Sequence, residues 1–325
     1  MKRRNVLQAL GAASLTLALP AARSQSFPDK PLRIVVPFAA GNTLDTSLRL
    51  VAEEFKKNTG QPLLIDNKPG GAGIIAAQNV INAPPDGYTL LLASTSMFTI
   101  NPHTFSKLPY DPEKNFRPVT NFLGASMVMA VNASVPANNL KEFVAWTKAH
   151  PGKVSFASFT AGNSSHFAGV ILNQRAGLDM THVHYNGTPP AVQNLVGGQV
   201  DAAFLPLLAV KPHVDSGKVK VLAVTSPQRS PLLPNVPTFR EQGYPDLEIY
   251  IWSAIVAPAG TPDAIIARLN TEFVKLLKSP EMRARWRDFD FETLPSTPQE
   301  LAKFMQTESK RWGEAVKLSG FKATE

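Results

Sequence analysis

The groups in this sequence that could do chemistry are mostly neutral. Gly162-Asn163-Ser164-Ser165-His166 sets two hydroxyls beside an imidazole. A serine hydrolase would use Ser164 or Ser165 as its nucleophile. The second glycine of a G-x-S-x-G elbow is missing, however, and no acid stands nearby. Helix capping accounts for the same residues, with His166 in the first turn. His182 and His184 are two apart and share one strand face. They have no third ligand at a characteristic spacing, and H-E-x-x-H is absent, so no metal site is indicated. Gly71-Ala72-Gly73-Ile74-Ile75-Ala76 matches G-x-G-x-x-A, yet Pro69-Gly70 intervene after the strand and the next acid, Asp86, precedes a strand instead of ending one. That context does not fit a dinucleotide fingerprint. The chain has no cysteine, which excludes a thiolate zinc site, an iron–sulfur cluster, a cysteine nucleophile and a disulfide scaffold. The reading therefore includes no cofactor and no metal. Two carboxylates remain. Asp45 stands at the start of a helix, where it caps free N–H groups or meets a ligand. Asp201 ends Gly197-Gly198-Gln199-Val200-Asp201, between a helix and a strand, where it touches ligand or caps backbone.

The elements that would position these groups alternate. Leu32–Pro37, Pro62–Ile65, Tyr88–Ala93, Met127–Val131, Val154–Ala157, His182–Tyr185, Ala202–Leu205 and Val219–Thr225 read as short strands, mostly apolar. Asp45–Asn58, Gly73–Ala83, Leu140–His150, Ser165–Ala176, Ala191–Gly197, Pro262–Leu277 and Pro298–Lys317 read as helices. Asn101–Pro118, with Pro102, Pro109, Pro112 and Pro118, reads as loop. The order is βαβ, which implies parallel or mixed sheets covered by helices. In such sheets ligands bind beyond the carboxyl ends of the strands. Five loops there are small and polar, four of them containing glycine: 37–45, 67–73, 94–96, 158–165 and 186–189. Only Asp45 and Lys68 are charged among them. Each precedes a helix and can aim N–H groups and hydroxyls at one point, and free helix N-termini favour anions. Gly73, Thr95 and Thr160 enter the candidate site on this ground. Amides and hydroxyls without a fixed arginine suit reversible capture of an anion.

At 325 residues, 44% apolar and 18% charged, the chain suits two domains and is neither disordered nor low-complexity. The net charge of +8 is concentrated at the start. Lys2, Arg3, Arg4 and Arg23 stand in a leader without acids, leaving 29 basic against 25 acidic residues beyond it. No basic run suggests nucleic acid. The leader has a basic n-region, an apolar stretch Val6–Leu19 and Ala22-Arg23-Ser24 before a cut at Gln25. This is a secretory signal peptide, too short to span a bilayer, and with no cysteine it suggests the periplasm. The arginine pair only partly matches the twin-arginine pattern.

Pieces spread along the chain resemble the periplasmic solute-binding receptors of tripartite tricarboxylate transporters, the Bug family. They include Phe27-Pro28-Asp29-Lys30-Pro31, Ile34–Gly41 with Asp45, Asn67-Lys68-Pro69-Gly70, Ala83–Leu90, Asn101-Pro102 and Lys107–Pro112. Phe116–Val119, His182–Gly187, Gly197–Asp201 and Ala257–Pro262 continue the series. The resemblance covers nearly all of Phe27–Val316. It implies an α/β type II periplasmic-binding-protein fold, two α/β lobes joined by two crossover segments. Lobe 1 would hold 25–124 plus 250–325, and lobe 2 would hold 125–249. It implies a small organic carboxylate as ligand, membrane permease subunits as partners, no enzymatic step and a soluble monomeric mature protein. A sensor subunit for a signalling protein would share the same pocket. Carried over by residue, the resemblance points to Phe38, Ala39, Gly41 and Asp45 in lobe 1. In lobe 2 it points to Ser158, Asn163, Ser164, Tyr185, Gly187, Thr188 and Asp201. The chain departs from the family where Gly41 is followed by Asn42 and where Phe159 and Thr160 fill glycine-rich positions. Phe159 either faces an apolar ligand body or packs under its loop.

Overall fold

The structure, a computed structural model, describes residues 27–41, 43–287 and 290–321. The leader and its cleavage point lie outside the described residues. In chain order the first elements are β1 (Leu32–Val36), α1 (Thr43–Thr59), β2 (Leu63–Asn67), α2 (Ile74–Ile81), β3 (Thr89–Ser94), α3 (Asn101–Thr104) and α4 (Pro112–Asn115). Next come β4 (Phe116–Asn132), α5 (Leu140–Ala149), β5 (Ser155–Ser158), α6 (Ser164–Ala176), β6 (Thr181–His184), α7 (Thr188–Val196), β7 (Ala202–Pro206), α8 (Leu207–Asp215) and β8 (Val219–Val224). The chain closes with β9 (Tyr250–Pro258), α9 (Asp263–Leu277), α10 (Pro280–Arg287), β10 (Phe291–Thr293) and α11 (Pro298–Ser319).

Strand order is β2-β1-β3-β9-β4-β7-β5-β6, with β8 and β10 also paired to β4. β1, β2 and β3 are mutually parallel in lobe 1, as are β5, β6 and β7 in lobe 2. β4 joins the two sets. Its residues from Phe116 to Ser126 pair antiparallel with β9, and from Met127 onward they pair with β7 and β8.

Period-two alternation explains why the strands read as continuous apolar runs. Ile34 and Val36 of β1 face α1 and α9, and Val35 faces α2. Met127, Met129 and Val131 of β4 face α5 and α6, while Val128 and Ala130 face α7 and α8. Both faces are covered, as parallel sheets require. Each fully buried aliphatic side chain of this kind contributes about 1.5–3 kcal/mol.

Three sequence expectations are corrected here. The proline-bearing stretch 101–118 is not loop throughout: it holds α3 and α4, and β4 begins inside it. Pro118 is accommodated where the β4–β9 register shifts, a place where a missing N–H is tolerated. The strand expected at Met127–Val131 is only the last part of a 17-residue strand. Residues 250–325 do not all pack in lobe 1. A 22-residue helix is about 33 Å long, more than one lobe needs. Leu301 of α11 enters the lobe 1 core, whereas Trp312, Ala315 and Val316 enter the core of lobe 2.

Thr225 ties the two connections between the lobes together. Its N–H donates to Met127 O at 2.8 Å, and Met127 N–H donates to its hydroxyl at 2.8 Å. The hydroxyl lies 2.7 Å from Ile249 O, and Ile249 N–H donates to Thr225 O. The side chain is fully buried. Thr225→Val preserves its shape and leaves the Met127 N–H unpaired. Chemical denaturation should show a loss of about 2 kcal/mol.

Candidate ligand-binding cleft

The carboxyl ends of both strand sets face one cavity of about 530 Å³. Every one of the five loops singled out in the sequence reaches it. Lobe 1 supplies Pro37 and Phe38 after β1, Gly70, Ala72 and Gly73 after β2, and Ser94–Met97 from the end of β3. Lobe 2 supplies Phe159–Ser164 after β5 and Gly187 after β6. Ile251 and Trp252 of β9 also line it, as does Phe321. Among the described residues no lining side chain is ionisable, and the wall is predominantly apolar.

The turn before α2 shows why the sequence carries glycine there. Gly73 has φ of 89°, and a Cβ at this position would stand 2.5 Å from the Met97 side chain. α2 starts on Gly73 and α7 starts on Gly187, neither with a side-chain cap. Gly73 and Gly187 themselves line the cleft; the first turn of α2 keeps its backbone N–H groups, whereas in that of α7 Pro189 and Pro190 have none. Asn101 braces the turn by donating to Ala72 O at 3.0 Å. Thr95 lines the cavity, but its hydroxyl is committed to β9: it lies 3.1 Å from Trp252 O and accepts from Trp252 N–H at 2.8 Å.

Asp45 lies beneath this wall and does not line the cavity. Its carboxylate accepts from Gly41 N–H, from Arg49 at 3.0 and 3.1 Å, and from Asn67 Nδ2 at 2.9 Å. Asn67 also donates to Phe38 O. Burial would raise the Asp45 pKa, but the bonds from Arg49, Gly41 and Asn67 outweigh it and hold the carboxyl below the ordinary range. Asp45 thus anchors the loop that presents Phe38.

In lobe 2, Asn163 caps α6 by accepting from Ser165 N–H and His166 N–H. Ser165 Oγ lies 2.8 Å from Asn163 Oδ1 and accepts from Phe159 N–H. The Ser165 hydroxyl therefore pairs with the loop, and His166 itself turns elsewhere. Its Nδ1 accepts from Gly162 N–H at 3.1 Å, and its ring stacks on His182 with centroids 3.8 Å apart. His182 Nε2 meets Ser158 Oγ at 2.7 Å, and that hydroxyl is 3.0 Å from Thr160 O. Burial lowers His166 to about 4. Burial, aided by His166 and His184, lowers His182 to about 3. Both rings are neutral at pH 7, which leaves His166 Nδ1 free to accept from Gly162.

Of the residues expected at the site, the cavity wall includes Phe38, Gly73, Thr95, Thr160, Asn163, Ser164 and Gly187. Ala39 and Gly41 sit on the exposed side of the first loop. Ser158 is fully buried under the lobe 2 loop, and Tyr185 donates its N–H to Ser158 O. Thr188 opens α7 without facing the cavity. Asp201 is placed at the opposite edge of the sheet, contrary to expectation. It precedes β7 and accepts from Ser155 N–H and Oγ at the amino end of β5, so parallel pairing puts it away from the cleft. Asn101, Thr104, Phe105, Ile251 and Phe321 were not among the expected residues. Asn101-Pro102 was visible as a shared piece. Nothing in the spacing indicates that Phe321, 149 residues past Leu172, returns to the cleft.

The profile described as "Tripartite tricarboxylate transporter family receptor" matches residues 47–321. The chain belongs to this receptor family. Among its relatives is the UPF0065 protein of the tcbD-tcbE intergenic region of Pseudomonas sp. (strain P51), 33% identical over 97% of this chain and 94% of that protein. Among solved structures, R. palustris Rpa4515 with adipate is 30% identical, with a TM-score of 0.82, over 92% of this chain and 100% of that one. MatC from Rhodopseudomonas palustris with bound malate is 34% identical, with a TM-score of 0.75, over 89% and 100%. The fold is that of the periplasmic binding proteins, and the family is one of solute-binding receptors, not of enzymes.

Two outcomes follow for this receptor. Asp45→Ala removes the anchor of the first loop and should cost about 2 kcal/mol in thermal or chemical denaturation at pH 7. The histidine pair makes stability pH-dependent. Its folded pKa values lie below the ordinary 6.5, so the unfolded chain binds protons first as pH falls. No penalty exists above pH 6.5, and stability declines from there toward pH 4 by on the order of 2 kcal/mol, since both rings keep partial contact with water. Denaturation curves across this window should be shallower in pH for His166→Gln than for the parent chain.

Proposed function

We propose that this chain is a periplasmic receptor that captures a small organic carboxylate between its lobes and delivers it to the membrane subunits of a tripartite tricarboxylate-type transporter. The observation that supports the reading is a cleft with no ionisable side chain among its described lining residues, where the glycine N-caps of α2 and α7, Gly73 and Gly187, meet from opposite lobes. Backbone amides can bind a carboxylate without a covalent step and without a fixed cation to slow its release. Two relatives of this chain hold carboxylates in their structures, adipate in one and malate in the other.

In this reading Met1–Ser24 directs export and is cleaved, and the mature receptor acts as a monomer. The lobes close by hinge motion where β4 passes Ser126-Met127 and where β9 begins at Tyr250. Asn163 and Ser164 would meet the ligand from one side and the Gly73 turn from the other.

The mature protein, refolded to strip any carried ligand, should be screened by thermal shift. The panel holds mono-, di- and tricarboxylates, with sugars and amino acids as controls. A ligand at 100 times its dissociation constant adds about 2.7 kcal/mol of stability. The expected hit is confined to carboxylates, binds with one-to-one stoichiometry and is not consumed. It should also reduce the radius of gyration in solution scattering. Stabilisation by sugars or amino acids alone would overturn the ligand class.

A further inference from the structure

The wall of the cleft says more about the ligand than its polar groups do. Resting on the carboxylate reading, we infer that the preferred ligand is a monocarboxylate with an aromatic body, and that Phe321 is a specificity-determining residue for it. Three observations meet here. The cavity, about 530 Å³, is of the size that encloses ring-bearing ligands. Aromatic side chains approach it from every side: Phe38 and Phe105 from lobe 1, Phe159 and Phe321 from lobe 2, and Trp252 from the connecting strand. Among the described lining residues no cationic side chain pairs with a second carboxylate, and an ionised group pressed against such a wall loses its water without compensation.

Phe321 is held in place by a built arrangement. Its ring packs edge-on against His166 at 5.7 Å and Phe167 at 5.8 Å between centroids. Its N–H donates to Ser319 Oγ at 3.0 Å, where α11 ends. It also lies directly under the lobe 2 loop: a Cβ on Gly162 would stand 3.0 Å from the Phe321 ring. Gly162, with φ of 71°, leaves this space to the ring. The long helix α11 therefore carries an aromatic side chain from beyond lobe 2's own segment into the ligand's space. Aromatic faces and edges favour a flat ring over a flexible polar chain.

The test is calorimetric titration of the refolded mature protein with benzoate, phenylacetate, 3-phenylpropanoate, malate and adipate. The expected result is that one of the aromatic acids binds roughly ten-fold or more tightly than either diacid. Phe321→Leu keeps an apolar side chain of similar bulk, and Phe321→Ala removes it. Both should weaken the aromatic acid, by about five-fold or more for alanine, while narrowing its advantage over adipate. Tighter binding of malate or adipate than of every aromatic acid overturns this inference and leaves the carboxylate reading standing. Binding of no carboxylate at all overturns both. An aromatic preference unchanged in Phe321→Leu and in a folded Phe321→Ala overturns the role given to Phe321.

Discussion

The antiparallel pairing of β4 with β9 is the constraint on which the rest of the structure depends. β4 is a member of both sheet halves, and β9 lies beside it from Phe116 to Ser126. The two lobes are therefore continuous through backbone hydrogen bonds, and their relative placement is set at one seam. Thr225 closes that seam with main-chain and hydroxyl bonds to Met127 and Ile249. The same seam forms the floor of the cleft, because β9 carries Ile251 and Trp252. Thr95 grips Trp252 through its backbone N–H and carbonyl, so the end of β3 is registered against that floor. Strand pairing here does the work of positioning a binding surface.

Among the described residues, charge is kept out of the cleft and put to use behind it. Asp45, Arg49 and Asn67 form a network that holds the first loop from below, and the neutral His166–His182 stack holds the lobe 2 loop in the same way. A buried carboxylate is tolerable because it is bonded on all the sides described, and buried imidazoles are tolerable because they are uncharged. The wall itself can then be apolar and still offer amide N–H groups from helix ends. A receptor that must release its ligand gains from this division, since a helix N-terminus attracts an anion more weakly than an arginine fork does.

Much of this architecture was legible locally. Apolar runs such as Leu32–Val36 and Leu90–Leu92 identify buried strands by composition alone, whereas the cap of α6 is Asn163 and not Ser164 or Ser165, and that of α11 is Thr297. The convergence of five loops was legible because a βαβ order fixes which strand ends face a ligand. The elements that escaped include β9, an apolar run absent from the expected strands, and those whose local signal conflicts with their place in the fold. Pro118 argues against a strand, and only a register shift in the β4–β9 pairing admits it. Pro212 argues against α8, which nonetheless packs Leu207 and Val210 into the lobe 2 core.

By itself the sequence determined the class of fold, the alternation of most of its strands and helices up to β8, and the neutral loops from which the cleft is built. These depend on periodicity, turn chemistry and residue type, all of which act over a few neighbours. Only the tertiary structure decided which of those residues face the cavity. Asp45 and Asp201 are both carboxylates beside turns, yet one braces a loop under the cleft and the other pairs with Ser155 at the far edge. That difference is set by strand direction and register, which no local pattern encodes. Phe321 likewise owes its place to the length of α11 and to its seat across both lobes, a contact between residues far apart in the chain and adjacent only once it is folded.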